Sequence, residues 1–240
     1  MNVENCILNY KNLKIIQDNE MFNFCIDSVL LARFWKPSKK FQHIIDFGTN
    51  NAIIPLIISR YTKAKIIGVE IQNEACEIAI KNIELNKLSD QIQIINNDIK
   101  DFVKNKNNEF DLLFCNPPFF KVEKNSNLNK RSKFLTPARH EVFIKLEEII
   151  QSAKIALKNG GRLLMIHLGE RLDEIIYILK KNNFAIKRLQ FVYFKKSQDA
   201  KRVLIDAIND GNEGMKILSP LYIQNSDGSY KKDILEKFGD

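Results

Sequence analysis

The apolar run Asp111-Leu112-Leu113-Phe114-Cys115 passes without a break into Asn116-Pro117-Pro118-Phe119. Two consecutive prolines remove two backbone donors and fix both φ angles, so the run ends in a rigid turn whose carbonyls face outward. The Asn116 amide oxygen and the Pro117 carbonyl can accept hydrogen bonds from one planar amino group. Phe119 can stack on the ring that bears that group. The structural alternative is a Pro-Pro turn ending a strand over an apolar anchor.

Three acids recur at the ends of earlier apolar runs. Asp46 lies in His43-Ile44-Ile45-Asp46-Phe47-Gly48-Thr49-Asn50-Asn51-Ala52, which reads as a strand, an acid, a tight turn and a helix start. Glu70 closes the next run, and Asp98 follows the third in Asn96-Asn97-Asp98-Ile99. Any one of these acids could be a cap or a solvated strand end. The ordered set suits a nucleoside-containing ligand, which needs acceptors for ribose hydroxyls and for an exocyclic amine, bound outside the carboxyl ends of the strands.

Such a set needs an open sheet to carry it. Apolar runs alternate with amphipathic stretches, the pattern of a mostly parallel sheet with helices on both faces. Strands are expected at 43–47, 65–71, 92–96, 110–116, 161–168, 186–194 and 202–208. The last two are expected to form a hairpin. The first four are rich in Ile, Leu, Val and Phe on both faces, as buried parallel strands should be. Helices are expected at 27–35, 53–61, 73–88, 141–158 and 170–182. Asn159-Gly160-Gly161 reads as the stop signal of the fourth. Residues 121–137 lack periodicity and read as a long loop.

The chain has 240 residues, of which 45% are hydrophobic and 28% charged, and this excludes a wholly disordered polymer. No apolar run reaches the roughly 18 residues that span a bilayer, and no secretory signal is visible at residues 1–10. The expectation is a cytoplasmic, soluble protein without membrane partners. Cys6, Cys25, Cys76 and Cys115 lie far apart with no C-x-x-C, and His43, His140 and His167 have no metal spacing, so no metal is expected. Ser28 and Ser59 have no His–acid pattern near them, which leaves hydrolase chemistry unsupported. Residues 1–120 are neutral overall, so the net charge of +8 comes entirely from 121–240. It is densest at Lys121, Lys124, Lys130, Arg131, Lys133 and Arg139. A polyanion-binding face and a solvated Lys-rich surface both account for it.

With these motifs in view, the chain resembles the class I S-adenosylmethionine-dependent methyltransferases, Asn116-Pro117-Pro118-Phe119 matching their amino-methylating motif. More narrowly, it is similar to the bacterial tRNA1(Val) (adenine-37 N6)-methyltransferase family. The matching segments include Phe22-Asn23-Phe24-Cys25-Ile26-Asp27-Ser28, Ala138-Arg139-His140-Glu141, Lys201-Arg202-Val203-Leu204 and Pro220-Leu221-Tyr222-Ile223. The resemblance implies one Rossmann-like domain over 1–240. Its sheet would have seven strands, mostly parallel, with an antiparallel C-terminal hairpin strand. Residues 1–40 would form an N-terminal extension and first helix, and 121–139 a basic substrate-recognition loop.

The same resemblance implies a monomeric enzyme that takes S-adenosylmethionine and tRNA. Asn116, Pro117, Pro118 and Phe119 would hold the target base. Asp46, Gly48, Asn50, Glu70, Ile71, Asp98, Ile99, Asn116, Phe24 and Asp27 would line the cofactor site. Asp27 could equally be the N-cap of its helix. The six basic residues named above would grip RNA phosphates. The family turn usually reads Asp-x-Gly-x-Gly-x-Gly, whereas here Asn50 and Ala52 replace two glycines. Asn tolerates the left-handed conformation; Ala52 adds a methyl group where the backbone approaches ligand or sheet. The alternatives are a guanine-N2 methyltransferase acting on ribosomal RNA, a release-factor glutamine methyltransferase, or an RNA-binding module that has lost cofactor binding through this turn.

Overall fold

A computed structural model of the chain describes residues 2–6, 10, 12–18, 25–119, 144–196, 198–237 and 239, with backbone alone at 2–6, 18 and 237. Phe24 and the basic residues Lys121, Lys124, Lys130, Arg131, Lys133 and Arg139 lie outside the described residues. Among those described, no helix is long and apolar enough to cross a membrane.

The main sheet is built from β3 (His43–Phe47), β4 (Lys65–Glu70), β5 (Ile92–Asn96), β6 (Phe110–Cys115), β7 (Leu157–Leu168), β8 (Phe184–Tyr193) and β9 (Arg202–Asn209). All seven expected strands are present. The sheet nevertheless has nine strands, because the two-residue strands β10 (Lys216–Ile217) and β11 (Leu221–Tyr222) both pair with β8. Two residues are too few to show an alternation, which is why they leave no trace in the sequence pattern. The order is β10-β8-β9-β7-β6-β3-β4-β5. β9 is antiparallel to both of its neighbours, and the other pairings in this sheet are parallel. Separately, β1 (Asn2–Cys6) and β2 (Lys14–Asp18) form an antiparallel ribbon.

Successive side chains of the central strands point to opposite faces and enter two cores. On one face Ile44, Leu112 and Leu164 pack with Leu31 of α1 (Ile26–Phe34), Ile57 of α2 (Ile53–Ser59) and Ala79 of α3 (Asn73–Leu85). On the other, Ile45, Leu113 and Leu163 pack with Ile150 of α4 (Leu146–Ala156) and Leu179 of α5 (Leu172–Lys181). Both faces being covered explains why these strands carry apolar residues throughout.

The glycine signal at 159–161 acts differently from its expected role. α4 ends at Ala156 and β7 already begins at Leu157. Leu157 pairs with Phe110 of β6, but the next paired residues are Arg162 and Leu112, so 158–161 loop out of register. Gly160, with φ +78°, makes that excursion possible. The glycines therefore bulge a strand and do not cap a helix.

Candidate active site

The winding of the parallel strands reverses between β3 and β6, which are neighbours in the sheet. A cleft opens there, at the carboxyl ends of the strands. It is lined by the turn after β3, by Glu70 at the end of β4 with Ile71 and Gln72 beyond it, by Asp98 and Ile99 after β5, and by Asn116, Pro117 and Pro118 after β6. Ser28 of α1 completes one wall.

The turn after β3 is held tightly to β4. The N–H groups of Gly48 and Thr49 both donate to the Val69 carbonyl, at 2.9 and 3.0 Å. Gly48, Asn50 and Ala52 have φ of +68°, +49° and +64°. The left-handed conformations of a glycine-rich turn thus persist with glycine at only the first of these positions. An L-residue in this region costs roughly 1–2 kcal/mol, and the surrounding contacts hold Asn50 and Ala52 there. The Asn50 N–H donates to Glu70 Oε2 at 2.9 Å. Asn82 of α3, fully buried, donates to the Asn51 carbonyl at 3.0 Å. The same side chain accepts from the Ile16 N–H at 2.6 Å and donates to its carbonyl at 3.1 Å, so one amide joins the ribbon to the turn.

The acids differ in their surroundings. Glu70 is buried and accepts from two backbone N–H groups, Asn50 and Gln72, each at 2.9 Å. Burial pushes its carboxyl above the usual range against the pull of those donors. Asp46, in β3, is 1% exposed, and neither of its oxygens makes a hydrogen bond. Its pKa is raised to about 8, chiefly by burial, with Thr49 lowering it and the Glu70 charge raising it. Asp98 N-caps a short helical turn (Ile99–Phe102), accepting from the Lys100 N–H at 2.8 Å, while still facing the cleft. Beside it Ile71 leaves 40% of its surface exposed and Ile99 lies largely buried. No Lys or Arg is among the described residues lining the cleft, although the protein as a whole is basic.

Asn116 is fixed by one bond. Its Nδ2 donates to Ser28 Oγ at 2.9 Å, and Oδ1 is buried without a hydrogen-bond partner. Three residues from other parts of the chain hold Phe119. Arg171 donates to its carbonyl at 2.9 Å, the Arg202 guanidinium sits 4.6 Å from its ring centroid, and the His167 ring lies 5.4 Å away. Arg202 donates in turn to the buried Asp27 carboxylate at 3.0 Å.

The structure therefore brings Gly48, Asn50, Glu70, Ile71, Asp98, Ile99, Asn116, Pro117 and Pro118 to one cleft, whereas Asp46, buried in β3 two residues before Gly48, and Phe119 are not on its lining. Asp27 is neither on the lining nor an N-cap; Cys25 is the N-cap of α1, and Asp27 is committed to Arg202. Ser28, Asn82, His167, Arg171 and Arg202 escape the sequence reading. The sequence signal for two of them is their place in Asp27-Ser28 and Lys201-Arg202, segments that resemble the family but in which neither Ser28 nor Arg202 is given a role.

The model of the methyltransferase small domain family matches residues 23–181. The tRNA1(Val) (adenine(37)-N6)-methyltransferase of Porphyromonas gingivalis is 32% identical over 206 residues, covering 82% of this chain and 79% of that protein. The chain belongs to the tRNA1(Val) (adenine-37 N6)-methyltransferase family. A relative with the same designation from Cytophaga hutchinsonii is 24% identical over 204 residues, 84% of this chain and 83% of that one. In fold, the chain is similar to a predicted O-methyltransferase from Agrobacterium tumefaciens, with a TM-score of 0.68 at 19% identity over 89% of this chain and 97% of that one.

Proposed function

We propose that this protein methylates the N6 amine of an adenine in tRNA, adenine 37 of tRNA1(Val), using S-adenosylmethionine. The observation that carries this reading is the state of Asn116. Its amide nitrogen is committed to Ser28, and its oxygen is a buried acceptor with no partner. An aromatic amine supplies the donor that this acceptor lacks.

The cleft fits the cofactor. S-Adenosylmethionine, when bound, supplies an electrophilic methyl group on a positively charged sulfur. A lining with Glu70 and Asp98 and, among the described residues, no Lys or Arg suits a ligand that carries positive charge. Glu70 is placed to accept from ribose hydroxyls, Asp98 from an adenine amine, and Ile71 with Ile99 to cover a purine ring. Gly48 and Asn50 set the turn against the methionine end.

Asn116 and the Pro117 carbonyl hold the target amine and orient its lone pair. That lone pair is delocalised into the ring, so the amine is a poor nucleophile. Two acceptors favour a tetrahedral nitrogen, and positioning supplies most of the rate, with reacting atoms about 3–3.5 Å apart. No strong base is needed, because the nitrogen's proton becomes acidic once it carries positive charge. Phe119 stacks on the base, which must leave its own stack to enter, as a loop nucleotide does readily. Lys121, Lys124, Lys130, Arg131, Lys133 and Arg139 are assigned to the phosphates, and the chain is read as one catalytic domain.

The test is incubation of total tRNA from cells lacking the protein with labelled cofactor, followed by nucleoside mass analysis. N6-methyladenosine is the expected product. N2-methylguanosine, or no product, overturns the reading. Asn116→Ala is expected to bind tRNA nearly as well while losing methylation, and comparable methylation by that variant removes the role given to Asn116.

A further inference from the structure

Phe119 is held by groups that the methyl-transfer reading leaves unused. Its ring sits under the guanidinium of Arg202, 4.6 Å from the centroid, while the imidazole of His167 lies at 5.4 Å, inclined by 56°. Arg202 is itself fixed, since its Nε donates at 3.0 Å to Asp27 and both side chains are mostly buried. Asp27 precedes Ser28, the residue that orients Asn116. One turn of α1 therefore governs both ends of the Asn116-Pro117-Pro118-Phe119 segment. Ser28 acts directly on its first residue, and Asp27 acts on its last through Arg202.

We propose that Arg202 is a positioning residue for Phe119, holding one face of the ring so that the other is presented to the incoming base. A planar cation on one face of a phenyl ring is attracted by the ring quadrupole and blocks its rotation. The ring is then ordered before the base arrives, and stacking no longer has to order it. Because Arg202 already covers one face, the base stacks on the opposite one. Entry of the base into the pocket follows tRNA docking, so the device acts on turnover of the bound complex and leaves docking unchanged.

This inference rests on the proposed adenine methylation, and its test separates the two. Arg202→Gln removes the planar cation while keeping a polar side chain. Expected is a fall in kcat of about tenfold, the size of losing part of a base–aromatic stack. The KM for tRNA and the calorimetric affinity for S-adenosylmethionine change by less than about twofold, because phosphate contacts and the cofactor cleft are untouched. Added to Phe119→Ala, the same substitution produces no further loss, as expected of a residue acting through that ring. Arg202→Lys keeps a charge beside Asp27 without the plane and recovers part of the rate. Equal losses in both backgrounds, or an unchanged kcat in Arg202→Gln, overturn the proposal.

A second readout does not depend on activity. With fluorophenylalanine incorporated at position 119, Arg202→Gln shifts and broadens the fluorine resonance, whereas an unaltered resonance overturns the positioning role. Absence of N6-methyladenosine with the unsubstituted protein counts against the adenine reading, and the fluorine measurement still decides the fate of Arg202.

Discussion

The Asn116 amide nitrogen donates to the Ser28 hydroxyl at 2.9 Å, tying the end of β6 to α1 across 88 residues of chain. That bond decides which way the amide faces. With Nδ2 engaged, Oδ1 is left as a buried acceptor without a partner.

Replacing Ser28 with alanine therefore lets the Asn116 amide turn over without removing it. A neutral hydrogen bond is worth about 1 kcal/mol, so kcat falls by about fivefold. The KM for tRNA stays within a factor of about two, because the substitution removes no charge from the protein. An unchanged kcat in Ser28→Ala would show that the amide is held by other means.

Ala52 is fully buried at φ +64°, where an L-side chain is strained. Ala52→Gly relieves that strain, and the greater freedom of glycine in the unfolded chain offsets part of the gain. The net expectation is a stabilisation of about 0.5–1 kcal/mol, a rise of roughly 1–4 °C in Tm for a chain of this size. Thermal unfolding checks it, and a lower Tm would mean that the alanine methyl group contributes packing worth more than the strain.

Asp46 titrates near 3.8 when unperturbed and at about 8 when folded, chiefly because of burial. The folded state binds this proton more tightly, so the contribution is full below about pH 3.8 and is lost as pH rises toward 8. The slope reaches about 1.4 kcal/mol per pH unit. Asp46→Asn removes it, so urea unfolding at pH 5 and pH 8 gives a smaller difference for the variant. Equal differences for the two proteins would place the titration elsewhere.

His167 behaves in the opposite sense. Burial first, then the Arg171 charge, lowers its pKa from 6.5 to about 3, with Glu174 raising it and Arg202 adding the smallest downward effect. The folded protein resists protonation, so stability falls as pH drops from about 6.5 toward 3. Between pH 4 and 6.5 this slope opposes that of Asp46. His167→Leu removes the acid-side loss, and the variant is then expected to grow steadily more stable on acidification over that interval. A variant whose stability still fell on acidification would assign that loss to other groups.

How much could be read beforehand depended on the range of the interactions. β3 and β5 were legible to the residue, because 43–47 and 92–96 are apolar runs with clear limits. The acids at the strand ends and the Asn-Pro-Pro-Phe turn were legible as well, since each motif is local. Ser28 and Arg202 were not, because their importance lies in contacts with Asn116 and Phe119 that only the folded topology creates. Asn159-Gly160-Gly161 misled because glycine ends helices and bulges strands by the same conformational freedom. Ala52 misled in the other direction, since residue type argues against a left-handed backbone that the tertiary structure nonetheless imposes.

Because β9 runs against its neighbours, its first residue emerges at the edge where the parallel strands finish. Arg202 thus enters that end immediately after the 194–201 connection, anchored by pairing with Leu168 and Val192. Insertions or deletions in that connection can remodel the outer surface while leaving the guanidinium on its aromatic partner. One reversed strand lets the periphery diversify independently of the chemistry.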